Sequence, residues 1–192
     1  MENLLRQLER QEGLMSHIQK ALGEYLEGQR QAFSRFYFVG DEDLLEIVGN
    51  SNEPAKVAQH LGKMFASVGA LNMPGAGETG APTTALSMIS KDGEEVAFKK
   101  PLTVSDTGVK EWLKALENEM RSTLALLLRE AVGTTADLSS SSREDAQAFV
   151  GLCNQFPAQI VALAAQISWS GSVRTALKDS SAGTSGGLKA CL

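Results

Sequence analysis

Apolar residues return every three or four positions through four long stretches of this chain, and that spacing limits the fold more than any single motif. In residues 3–33 the series is Leu4, Leu8, Met15, Ile18, Leu22, Tyr25 or Leu26, and Phe33, which places one stripe along one helical face. Gln11 interrupts the stripe, and Gly13, Gly23 and Gly28 each cost about 1 kcal/mol relative to Ala, so this helix needs a packing partner. A second series, Val57, Leu61, Met64, Phe65 and Val68, predicts a helix that begins at Pro54 and ends near Gly69. A third runs through Val109, Trp112 or Leu113, Leu116, Met120, Leu124, Leu127 and Ala131, capped by Ser105 or Asp106 and reaching about Val132. The fourth is Phe149, Leu152, Phe156, Ile160, Leu163 and Ile167, within residues 143–177. Pro157 must break or kink it near Phe156, and Trp169 falls one position off its stripe.

The remaining signals are local. Phe36, Tyr37 and Phe38 form an aromatic plug for the core, followed by a turn at Gly40. Asp41 is placed to cap a short helix carrying Leu44, Leu45, Ile47 and Val48, with Glu42 and Asp43 favoured by the helix dipole. Gly49 or Asn50 can take the left-handed conformation that ends it. Residues 85–89 and 96–98 flank Asp92 and Gly93, a strong tight-turn pair, and predict a β-hairpin whose second strand continues past Pro101 toward Val104. A lone hairpin is marginal in water and must lean on a helix or another module. Residues 72–84 and 133–142 read as a surface loop and a linker, Ser142 can cap the helix that follows, and residues 179–192 read as a disordered tail. The fold class is mainly α, an elongated helical bundle or arch with one inserted hairpin.

Composition permits a packed core, with 43% hydrophobic and 21% charged residues over 192 positions. A net charge of −5 argues against nucleic acid as a partner, since phosphate neutralisation needs a basic face. The apolar run at residues 160–167 is too short to span a bilayer, and the charged first residues are unlike a signal peptide. Cys153 and Cys191 provide neither a disulfide framework nor a metal motif, and they read as reduced, buried or incidental thiols.

No catalytic constellation emerges. Residues 183–189 approach a phosphate loop, but Leu188 and Ala190 stand where Gly and Ser or Thr are required. His17 and His60 read as helix-surface histidines without metal-ligand spacing. The acidic pairs Glu42 and Asp43, Glu94 and Glu95, and Glu117 and Glu119 read as solvated charge.

The wording of the aromatic block is more particular than this physics requires. RFYFVGDEDLLEIVGN resembles the linker of cytoplasmic dynein heavy chains, and further matches follow the same order along the chain. They are IQKALGEYLEGQRQAFSRFYF, HLGKMFASV, DGEEVAFKKPLTV, VKEWLKALENEMRSTLALLLREAV and FPAQIVALAAQISWSGSVRTAL. The resemblance runs from about residue 14 to residue 177 and assigns residues 1–178 to part of the linker.

It implies a curved helical lever lying across a ring of AAA+ modules, with ATP and Mg bound by the parent ring and no cofactor or catalytic residue in this segment. Its implied partners are that ring, the intermediate and light intermediate chains, and microtubules, in the cytoplasm and cytoskeleton rather than the cilium. Nucleic acid and membrane insertion are not expected. The family-signature positions are Phe36, Tyr37, Phe38, Asp41, Leu44, Leu45, Trp112, Pro157 and Trp169, and the hairpin tip Lys91, Asp92, Gly93 and Glu94 is the implied contact with the ring. Candidate bends lie at residues 69–84 and 133–142 and at Phe156 and Pro157. The competing reading is a free-standing helical interaction module. A small enzyme is a third, with no nameable pocket.

Overall fold

The computed structural model describes residues 2–74, 83–103, 108–135 and 143–181. The expected loop at residues 75–82, the caps at Ser105, Asp106 and Ser142, the linker at 136–142 and the tail from residue 182, with Cys191 and the near-phosphate loop, lie outside them. The chain divides into two compact units after Asn118.

The first unit begins with α1 (Glu2–Ala32), a 3-10 turn (Ser34–Phe38) and α2 (Asp41–Gly49). The aromatic triplet does not plug the core as a block. A 3-10 turn spreads side chains round its axis, so Phe36 is fully buried against Phe33 while Tyr37 and Phe38 are exposed. Asp41 is not the cap: Gly40 occupies that position with extended backbone, and Asp41 is the first helical residue, joined to Arg30. The helix ends without a left-handed residue. Asn50 has φ −103° and instead donates from its side-chain amide to the Glu46 carbonyl at 2.8 Å.

The expected helix from Pro54 to Gly69 is two short helices, α3 (Pro54–Ala58) and α4 (Leu61–Met64), followed by a strand, β1 (Val68–Asn72). Phe65 is already extended, with φ −127° and ψ 99°. Val57, Leu61, Met64, Phe65 and Val68 are buried as the apolar spacing required, but Val68 is buried from a strand. Its pairing partner, β2 (Thr84–Ser90), begins only after residues 73–83, so no local pattern announces it.

β2 and β3 (Glu95–Thr103) form the expected hairpin, and the sheet order is β1-β2-β3, all antiparallel. The turn uses Gly93 at φ 86°, a conformation that favours glycine. Pro101 is tolerated because β3 is an edge strand and the register slips between Ala85 and Ser87, which pair with Leu102 and Ala97. β1, not a helix alone, supplies the support that the hairpin lacked. α5 (Val109–Thr135) buries Val109, Trp112, Leu113 and Leu116 in this unit.

The second unit contains the remainder of α5, α6 (Arg143–Gln155) and α7 (Ala158–Ser181), with the break at Phe156 and Pro157 where proline demanded it. Ala131, Leu152, Phe156, Ile160, Val161 and Ala164 form its core, with Leu124, Leu127, Leu128 and Val132 packed against it. The predicted stripe is rotated after the break. Leu163, Ile167 and Phe149 are exposed, and the small Ala164 and Ala176 are buried instead. Leu152, Phe156 and Ile160 still share one core across the break, and within α7 the buried face follows Ile160, Val161 and Ala164, which turns Leu163 and Ile167 outward. Ser180 and Ser181 belong to α7 rather than to a tail.

Candidate functional site

The polar contacts of the first unit converge on α2, α4 and the 3-10 turn. Arg35, in that turn, donates to the Met64 carbonyl at 3.1 Å and to Glu117 Oε1 at 3.2 Å. Its guanidinium also lies 4.5 Å from the centroid of the Phe65 ring. One planar cation therefore ties the turn, the end of α4 and α5 together, using the fork geometry that lysine lacks. Its local sequence gives no hint of this, because Glu117 is 82 positions away.

On α2, Asp43 and Glu46 lie nearly one turn apart, both facing His60 just ahead of α4. His60 is 7% exposed, so the expectation of a surface histidine is corrected, whereas His17 is exposed on α1. Its Nδ1 is 3.5 Å from Asp43 Oδ1 and its Nε2 3.4 Å from Glu46 Oε2. Lys63 donates to the other Asp43 oxygen at 2.7 Å, and that hydrogen bond holds the Asp43 carboxyl below the usual carboxylate range.

A second polar knot braces the sheet. Glu95 accepts from Ser87 across β2 and β3, and from Asn72 Nδ2 at 2.9 Å, so its carboxyl is also held low, chiefly by Ser87. Asp43, Glu95 and Glu117 therefore make tertiary contacts, and the reading of them as solvated charge is corrected. At the hairpin tip Lys91, Asp92, Gly93 and Glu94 are all exposed, and Ser90 Oγ accepts from the Asp92 and Glu94 amides to hold the turn.

The signature positions divide between the units. Phe36, Leu44 and Trp112 are buried in the first, where Leu45 is partly exposed and Tyr37 hydroxyl donates to Glu27 at 2.7 Å. Pro157 and Trp169 belong to the second, and Trp169 is exposed on α7. Cys153 is exposed on α6, so of the readings offered by the sequence the buried thiol is corrected.

The most conspicuous surface is on α1. Every residue from 3 to 25 is exposed, including Leu4, Leu8, Met15 (70% exposed) and Ile18, and only Leu26 and Phe33 complete the stripe inside the unit. The partner that this helix requires is therefore not supplied by the described residues. Among them, no helix is long and apolar enough to cross a membrane.

Residues 1–131 match the family model described as dynein heavy chain, N-terminal region 2, which takes in the first dozen residues and stops short of the last stretch quoted above. The chain is 46% identical over 178 residues to a cytoplasmic dynein heavy chain of Neurospora crassa, covering 92% of this chain. It is 47% identical over 177 residues to the cytoplasmic dynein heavy chain of Drosophila melanogaster, again over 92% of this chain. Cytoplasmic dynein 2 heavy chain 1 of Mus musculus is 41% identical over 167 residues, or 87% of this chain. The chain spans about 4% of the length of these curated relatives.

Proposed function

The chain belongs to the dynein heavy chain family, and from that premise we propose that it is a segment of the mechanical linker, the lever that couples ATP hydrolysis in an AAA+ ring to minus-end-directed movement on microtubules. The observation that carries this reading is the family match over residues 1–131 together with the build of the matched part. Long helices with apolar spines transmit force, and a lever needs stiff blocks with defined breaks between them. The long helices α1, α5 and α7 and the proline break after α6 fit that requirement.

In this role the segment performs no chemistry and holds no cofactor; ATP and Mg belong to the parent ring. Its partners are that ring, reached through the hairpin tip Lys91 to Glu94, and, through the whole complex, the intermediate and light intermediate chains and microtubules. Its place is the cytoplasm, on the cytoskeleton. The exposed face of α1 favours a second reading, a free-standing module that binds partner helices.

The test is a transplant of this chain into the matching segment of a full-length cytoplasmic relative. The lever reading expects ATP turnover and microtubule gliding to persist together. It also expects shortening of the hairpin tip to slow gliding at retained ATP turnover. Unchanged velocity after shortening removes the ring contact. Gliding that survives deletion of the whole segment removes the lever.

A further inference from the structure

From the surroundings of His60 we propose a divalent transition-metal site formed by Asp43, Glu46 and His60, taking zinc or a metal of similar chemistry. It is independent of the lever reading. One ligand atom from each of the three residues lies within 4.8 Å of the others. Two carboxylates from one helix face and one imidazole from the next element form a mixed oxygen and nitrogen donor set, which suits zinc and its first-row neighbours better than calcium or magnesium.

The independent observation is the state of the imidazole. It is more than nine-tenths buried, and its Nε2 has no hydrogen-bond partner although Glu46 Oε2 lies 3.4 Å away. A neutral imidazole carries one N–H. With that proton on Nδ1, the Nε2 lone pair has only a carboxylate oxygen beside it, and two acceptors stand together. A cation between them removes the conflict. On a tetrahedral zinc with bonds of about 2.0–2.2 Å, neighbouring ligand atoms lie roughly 3.3–3.6 Å apart. The Nε2 to Oε2 separation already has that length. Lys63 engages the far Asp43 oxygen, Oδ2, and leaves Oδ1 on the His60 side. Its side chain is half exposed and can swing into solvent as a metal ion enters.

A second proton on the ring resolves the same conflict without metal, and the experiment must separate the two. The full chain, free of any affinity tag and carrying Cys153→Ser to remove its exposed thiol, is titrated with Zn2+ by calorimetry and with Co2+ by visible absorption. The proposal expects one saturable site with a Kd below roughly 10 μM, which corresponds to a real rather than a diffuse ion atmosphere. It expects Co2+ ligand-field bands and at least a tenfold weakening in His60→Gln. Glu46→Gln guards against misfolding, because that side chain is about half exposed and its loss leaves the buried ring in place. It must weaken binding by a similar factor at unchanged circular dichroism, while His17→Gln has no effect. Absence of saturation, or binding that survives both His60→Gln and Glu46→Gln, overturns the site and leaves a proton as what reconciles the ring with its two carboxylates.

Discussion

Replacing Phe36 by Ala and Phe38 by Ala tests the account of the aromatic triplet within one turn of chain. The Phe36 side chain is 0% exposed and meets Phe33 edge to face, with centroids 5.0 Å apart and planes at 79°. Removing a fully buried phenyl ring costs about 3–5 kcal/mol in transfer and cavity energy, of which the aromatic pair accounts for about 0.5–1.5 kcal/mol. Phe38 is 71% exposed, so less than a third of its surface leaves water on folding. Full burial of a Phe stabilises by about 1.5–3 kcal/mol, and the corresponding loss at Phe38 is below about 1 kcal/mol. Folding stability of about 5–15 kcal/mol makes the first substitution severe and the second nearly silent. Urea titration of the full chain, followed by circular dichroism, reads both. With a slope of about 2 kcal/mol per molar, Phe36→Ala lowers the midpoint by about 2 M and Phe38→Ala by less than about 0.5 M. Equal shifts, or a larger one at Phe38, would refute the division of the triplet into one core residue and two surface residues.

Arg35→Ala removes a carbonyl contact, an ion pair and a cation–π contact at once. Its side chain is about 29% exposed, so solvent screens the pair and the expected loss is about 1–3 kcal/mol, with Arg35→Lys recovering less than half of it in the same urea assay. Leu152→Ala, at a fully buried position of the second core, should cost about 2–5 kcal/mol, whereas Leu163→Ala on the exposed side should cost under about 1 kcal/mol. Glu95 titrates with a folded-state pKa held below its unfolded value by Ser87 and Asn72. Its contribution is therefore present above the unfolded carboxylate range and fades as pH falls through the folded pKa. Thermal melts of wild type and Glu95→Gln should converge toward acid pH, and a gap that widens on acidification would contradict that sign.

Much of this architecture was legible because it depends on neighbours in sequence. Three- and four-residue spacing located α1 and α5, proline located the break after α6, and Asp92 with Gly93 located the hairpin turn. What local spacing could not reach depends on partners far along the chain. β1 shares its apolar spacing with a helix, and only pairing with β2 makes it a strand. Phe36 and Phe38 differ in burial because a 3-10 turn points them apart, which three consecutive aromatics cannot reveal. His60 read as a surface histidine, and nothing singled out Arg35, because Asp43, Glu46 and Glu117 reach them only after folding. The exposed stripe of α1 is the opposite case, since its pattern correctly demanded a partner that the described residues do not contain.

The lever itself is tested most directly by distance. Cys153 is exposed on α6, so it can carry a donor dye after transplantation of this chain into a full-length motor otherwise cleared of reactive cysteines. The acceptor is placed on the AAA+ ring, and energy transfer is followed through the ATP cycle. A lever predicts two transfer levels that alternate with nucleotide state, and loss of that alternation when Phe36→Ala unseats the first unit. A single level through every nucleotide state, in a motor that still glides, would contradict the account.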